Sequence, residues 1–155
     1  TRRRDVLFST RRFWNQRMIV LDTHIWHWWV NQIPGKLSLG TIALIEESAE
    51  VGVSAMSCFE MAWLVRHGRI DLNMAFEEWL QQIEADRIIR CLPVTPWISA
   101  RAVALPEHHK HPQDRIIIAT ALHNNARLIS FDAQFPCYQE LEGWLISANF
   151  HVPQT

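Results

Sequence analysis

Met18-Ile19-Val20-Leu21-Asp22-Thr23-His24 is apolar for four residues and then turns polar at a carboxylate. A short run without polar alternation reads as a strand buried on both faces. It leads through Asp22 into a tryptophan-rich helical segment, His24 to Asn31, which Pro34-Gly35 stops. The same strand-then-helix step recurs. Ser38 reads as the cap of a helix reaching about Ala49, and Val51 to Ala55 as a second strand. Ser57 is expected to open the next helix, which Gly68 ends. Asn73 is expected to cap a helix carrying Phe76, Trp79, Leu80 and Ile83 on one face. Ile88 to Val94 reads as the third strand, and Pro96 starts a helix to about Leu105. Pro106 to Pro112 reads as a loop, Gln113 to Asn124 as a helix apolar almost all round, and Arg127 to Phe131 as the fourth strand. Beyond Asp132 the pattern predicts a helix around Tyr138 to Leu145 and an edge strand at Phe150 to Val152.

Alternating strands and helices with wholly apolar strands mean an α/β domain: a central parallel sheet of four to five strands, with helices on both faces making three layers. In such a sheet the strand ends and the following helix starts share one edge, where sites form. Four acids fall there. Asp22 and Asp132 follow strands, and Glu60 and Asp114 lie in opening turns of helices. Each has a local explanation. Asp22 could cap the helix from His24, Ser57-Cys58-Phe59-Glu60 matches a capping box, Asp114 suits a helix dipole, and Asp132 suits a turn. Together, without matching bases, they would repel one another unless a divalent cation held them. Metal-dependent phosphodiester chemistry is the expectation that follows.

The bulk numbers are compatible with this. At 155 residues, 48% hydrophobic and 20% charged, the chain reads as one globular domain. Residues 1–17 carry six arginines against Asp5, whereas the remainder has nine basic against fifteen acidic side chains. The basic head is either an arm for phosphates or an extension ahead of a natural start at Met18, so the domain proper is taken as 18–155. No apolar run reaches the roughly 18–20 residues that span a bilayer, and the head lacks a signal-type apolar stretch. Cys58, Cys91 and Cys137 are widely spaced, odd in number and flanked by apolar residues. They read as reduced core thiols, and hence as a cytoplasmic protein with no membrane partner.

Met18 to His24, Phe59-Glu60-Met61-Ala62, Asp114-Arg115-Ile116-Ile117-Ile118-Ala119-Thr120-Ala121 and Ser130-Phe131-Asp132 together resemble the PIN-domain ribonucleases, most of all the VapC-type toxins of bacterial toxin–antitoxin pairs. The likeness runs from residue 18 to about 135, with all four acids in order. It implies a PIN-like fold and a metal-dependent endoribonuclease. Asp22 and Asp114 would be the central ligands of Mg²⁺ or Mn²⁺, Asp132 and Glu60 would bind directly or through water, and Thr23 and Ser130 would donate hydrogen bonds behind them. It also implies single-stranded or loop RNA as substrate, a cognate antitoxin, a homodimer, and DNA contact only indirectly through the antitoxin. Where relatives often have D-P-x-D, this chain has His111-Pro112-Gln113-Asp114. Nothing is carried over onto Phe135 to Thr155.

Rival readings are weaker or remain open. His24, His27, His108, His109 and His111 lack the spacing of a zinc motif. Trp26, Trp28 and Trp29 point about 100° apart on one short helix, which fits either a helix wedged into the core or an aromatic face that a partner covers. A haloacid-dehalogenase-type phosphatase needs an acid where His24 stands, and no phosphate-binding glycine loop occurs. From a different class, a catalytically idle PIN-like binding module remains the alternative.

Overall fold

The computed structural model describes residues 17–108 and 111–148. The arginine-rich head up to residue 16, His109, Lys110 and the edge strand expected at Phe150 to Val152 lie outside the described residues. The elements run β1 (Met18–Leu21), α1 (Thr23–Val30), α2 (Leu39–Glu47), β2 (Glu50–Ser54), α3 (Ala55–Arg66), α4 (Phe76–Asp86), β3 (Ile89–Leu92), α5 (Pro96–Ala104), α6 (Pro112–His123), β4 (Arg127–Ile129) and β5 (Leu145–Ile146). Two 3-10 turns, Phe135–Cys137 and Gln139–Leu141, lie between β4 and β5.

All five strands pair in parallel, in the order β3-β2-β1-β4-β5. The chain fills one side of β1 first and then crosses to start the other with β4. That makes the β1/β4 junction the switch point, where a crevice opens at the carboxyl ends of the strands.

Side-chain alternation along β1 builds a core on each face. Ile19 and Leu21 join Ile25, Trp26, Ile45, Met61 and Trp79 from α1 to α4. Val20 joins Ile117, Ile118 and Ala121 of α6, with Phe135, Tyr138 and Leu141 of the 3-10 turns. Each such aliphatic side chain, fully buried, contributes about 1.5–3 kcal/mol over its exposed state. Gly52 of β2 marks the tightest point of the second face, because a Cβ there would lie 2.9 Å from Leu92 Cδ1.

Three local expectations are corrected. The α3 cap is Ser54, whose Oγ accepts from Met56 N at 3.1 Å, and Ser57 is buried inside the helix. Strand and helix abut with no loop between them, so the cap falls on the strand's last residue. Asn73 does not cap α4; it takes φ 57° in a turn where Asp71 Oδ1 accepts its N–H, and Ala75 precedes the helix. Asparagine tolerates that left-handed conformation. The helix expected over Tyr138 to Leu145 is absent: the chain makes 3-10 turns and then enters β5. Phe135, Tyr138 and Leu141 bury at intervals of three residues, the period of a 3-10 turn, not of an α-helix.

Candidate active site

Asp22 stands where β1 becomes α1. Its N–H donates to Ile129 O of β4 at 3.0 Å, extending the strand pairing by one residue. Its side chain caps α1, with Oδ1 accepting from Thr23 N at 2.8 Å. Oδ2 accepts from Ser130 Oγ at 2.7 Å. The same Ser130 hydroxyl accepts from Asp132 N at 3.2 Å, and Asp132 Oδ1 accepts from Gln134 N at 2.8 Å. One fully buried serine thereby ties the two strand-end acids together.

Glu60 enters from α3. Thr23 Oγ1 donates to Glu60 Oε2 at 2.7 Å and lies 3.1 Å from Ser57 Oγ. The capping-box reading of Glu60 fails, because Ser57 points into the core toward Thr23 and the glutamate reaches across to α1. Asp114 lies in the first turn of α6. Beside it, the Arg115 guanidinium donates to Val103 O, Leu105 O and Pro106 O at 3.1, 2.6 and 2.8 Å. Those bonds fasten the start of α6 to the end of α5, and so fix where Asp114 is held.

All four acids line one cleft of about 1020 Å³. Burial raises the Asp22 pKa above its ordinary value against the lowering pull of the Ser130 and Thr23 bonds, and the nearby Asp132 charge raises it further. Glu60 is also raised, by burial first, and the Asp22 charge adds to it. His24 favours the ionised form of both, and His111 that of Glu60. The carboxylates are close enough to oppose one another's ionisation, which is the electrostatic state a bound cation relieves.

The four acids offer hard oxygen donors, and His24 and His111 line the cleft with them. Among the described residues no three His, Cys, Asp or Glu side chains gather into a ready-made cage. Carboxylate oxygens suit Mg²⁺, which keeps several of its waters and binds through one or two carboxylates together with substrate phosphates.

Sequence reasoning left several cleft residues unplaced. Phe59, Trp63 and Leu64 of α3 line the cleft, as do Arg69 just beyond that helix, Trp28 and Phe131. The signal was available, since Phe59 and Trp63 flank Glu60 at i−1 and i+3 on a helix whose buried face is taken by Ser57 and Met61. The tryptophans of α1 divide: Trp26 is buried against Trp79 at 5.1 Å, Trp28 faces the cleft, and Trp29 is half-buried against the core. Of the three cysteines expected as core thiols, only Cys58 packs against the core. Cys91 and Cys137 are exposed and Cys58 is half-buried.

The PIN domain pattern matches residues 19–141. The chain is also 39% identical over 115 residues to Ribonuclease VapC22 of Mycobacterium tuberculosis, covering 74% of this chain and 86% of that protein. The chain belongs to the PIN domain family. Solved structures similar to this PIN domain include VapBC2 from Rickettsia felis bound to a DNA fragment from their promoter. It has a TM-score of 0.61 and 14% identity, covering 84% of this chain and 98% of that one. A toxin–antitoxin complex from Klebsiella pneumoniae has a TM-score of 0.58 and 16% identity, covering 83% and 95%. These likenesses establish the fold. Among the described residues of this PIN domain, no helix is long and apolar enough to cross a membrane.

Proposed function

We propose that this PIN domain is a metal-dependent endoribonuclease, the toxin of a toxin–antitoxin pair, which hydrolyses RNA phosphodiester bonds. The observation that carries the reading is the convergence of Asp22, Glu60, Asp114 and Asp132 on one cleft at the sheet's switch point. The kinship with Ribonuclease VapC22 supports RNA as the substrate class.

Asp22 and Asp114 would hold the ion most directly, with Asp132 and Glu60 beside them, and Mg²⁺ or Mn²⁺ suits this oxygen set. When bound, such a cation activates a water and neutralises charge on the scissile phosphate. The chain's own residues prepare the place. Ser130 and Thr23 hold Asp22 and Glu60 in fixed orientations and leave carboxylate lone pairs directed at the cleft. Arg115, turned away onto backbone carbonyls, positions the Asp114 turn and does not touch substrate. The four carboxylates would repel a phosphate backbone, and a cation held between them would offset that charge.

The structural neighbours solved as toxin–antitoxin assemblies support an antitoxin partner for this chain. The acidic body suits DNA contact made only indirectly, through that antitoxin. A homodimer belongs to the same proposal.

Purified protein should cut cellular RNA into discrete fragments in Mg²⁺ or Mn²⁺, and cutting should stop with EDTA or Asp22→Asn. A folded, metal-binding protein that cuts no RNA would instead be a binding module.

A further inference from the structure

Three aromatic side chains climb one face of α3 at intervals of four residues: Phe59, Trp63 and His67. Two of them are large apolar groups left in solvent, with Phe59 58% and Trp63 57% exposed. The rings are aligned. Phe59 and Trp63 lie within 22° of parallel with centroids 6.5 Å apart, and Trp63 and His67 within 28° at 4.2 Å. His67 is fixed in turn by its Nδ1, 2.8 Å from Trp63 O. One side of the indole is therefore backed by a held imidazole, and its other neighbour is the more distant phenyl ring.

The ladder begins one residue from Glu60, and Phe59 and Trp63 line the carboxylate cleft together with the cationic Arg69. We propose that Phe59 and Trp63 form a base-stacking platform, which seats a nucleotide of single-stranded RNA beside the carboxylates. The proposal rests on the ribonuclease reading and adds the residues that grip the substrate.

Stacking on aromatic rings is how proteins hold single strands without reading sequence, at about 1–3 kcal/mol per base. A single strand can splay a base onto such rings, whereas duplex RNA keeps its bases stacked inside. Charge fits as well: a cation held by the carboxylates would take one phosphate, and Arg69, lining the same cleft, offers a charge for another.

The test is fluorescence anisotropy of a labelled RNA of about ten nucleotides, single-stranded or annealed to its complement, titrated with the full chain in Ca²⁺. Trp63→Ala should weaken single-strand binding by about 5- to 100-fold, and Trp63→Phe should recover most of it. Duplex binding should not change. Trp97→Ala, at an exposed α5 position outside the cleft, should match the parent protein. In Mg²⁺ the Trp63→Ala loss should appear in KM with kcat nearly kept, which a misfolded site would not produce. Equal single-strand binding by Trp63→Ala and Phe59→Ala would overturn the platform and leave this face to a protein partner. Failure of the parent protein to bind any RNA would instead remove the ribonuclease reading beneath it.

Discussion

The Ser130 hydroxyl donates to Asp22 Oδ2 at 2.7 Å across 108 residues of sequence, joining the ends of β4 and β1 at the point where the strand order reverses. Ser130 also accepts from Asp132 N, so one buried hydroxyl fixes two of the four acids. Ser130→Ala should leave the strands paired, since its backbone N–H still bonds Ile146 O. It should weaken divalent-metal affinity and activity by about 10- to 100-fold. Calorimetric titration with Mn²⁺ against the parent protein is the check, and unchanged affinity would remove Ser130 from the site.

Arg115 makes the clearest case of a residue acting through another. Its three carbonyl contacts lock α6 to the end of α5. Hydrogen bonds to a charged group contribute about 1.5–3 kcal/mol net, and less where water competes, as it does at the exposed carbonyls here. Arg115→Ala should lower Tm and reduce kcat by loosening Asp114. Arg115→Lys should recover little, because an ammonium cannot reproduce the planar fork. Thermal melts paired with initial rates test this, and a lysine variant equal to the parent would contradict it.

What was legible in the sequence followed from periodicity and from strand ends. The apolar run before Asp22 and the all-apolar α6 declared a parallel sheet with two covered faces, and the four acids declared its edge. The cap of α3 was misplaced because Ser57 and Glu60 satisfy a local pattern equally well, and only the long-range contact with Thr23 separates the two readings. The region after Phe135 was misread because a three-residue burial period imitates a helix over one or two turns. Phe59, Trp63 and Arg69 were passed over because their meaning depends on which face of α3 is left uncovered, and that is set by distant elements.

Cys91 gives a reactivity prediction independent of the carboxylates. Its Sγ lies 3.7 Å from Cys58 Sγ, on an exposed part of β3. The hydrogen bond from the Cys58 thiol lowers the Cys91 pKa to about 7 from an ordinary 9.0, against opposing effects of burial and of Glu84. The thiolate is the reactive form, so the alkylation rate should rise through a midpoint about two pH units below an ordinary thiol. Iodoacetamide labelling followed by peptide mass spectrometry should place the fastest adduct on Cys91. Cys58→Ala should move that midpoint upward, and an unmoved midpoint would discard the pair as its cause.

Metal and pH should act together on stability. Asp22 and Glu60 both have pKa values raised in the metal-free fold, by burial first and then by neighbouring carboxylates. A folded acid with a raised pKa contributes stability that is fully present below its unfolded value, about 4. That contribution is lost as pH rises through the folded value. In EDTA, Tm should therefore fall across this window as the two acids ionise against each other. Mg²⁺ favours the ionised pair, so it should raise Tm near pH 7 and lose its effect toward pH 4, where protons displace it. Asp22→Asn removes one of the opposed charges. It should flatten the decline in EDTA and abolish most of the Mg²⁺ response, although asparagine can still cap α1 through its side-chain oxygen. Scanning calorimetry across pH, with and without Mg²⁺, gives both readings. An equal Mg²⁺ response in Asp22→Asn would place the ion elsewhere, and a Tm that climbs through the window in EDTA would reverse the assigned sign.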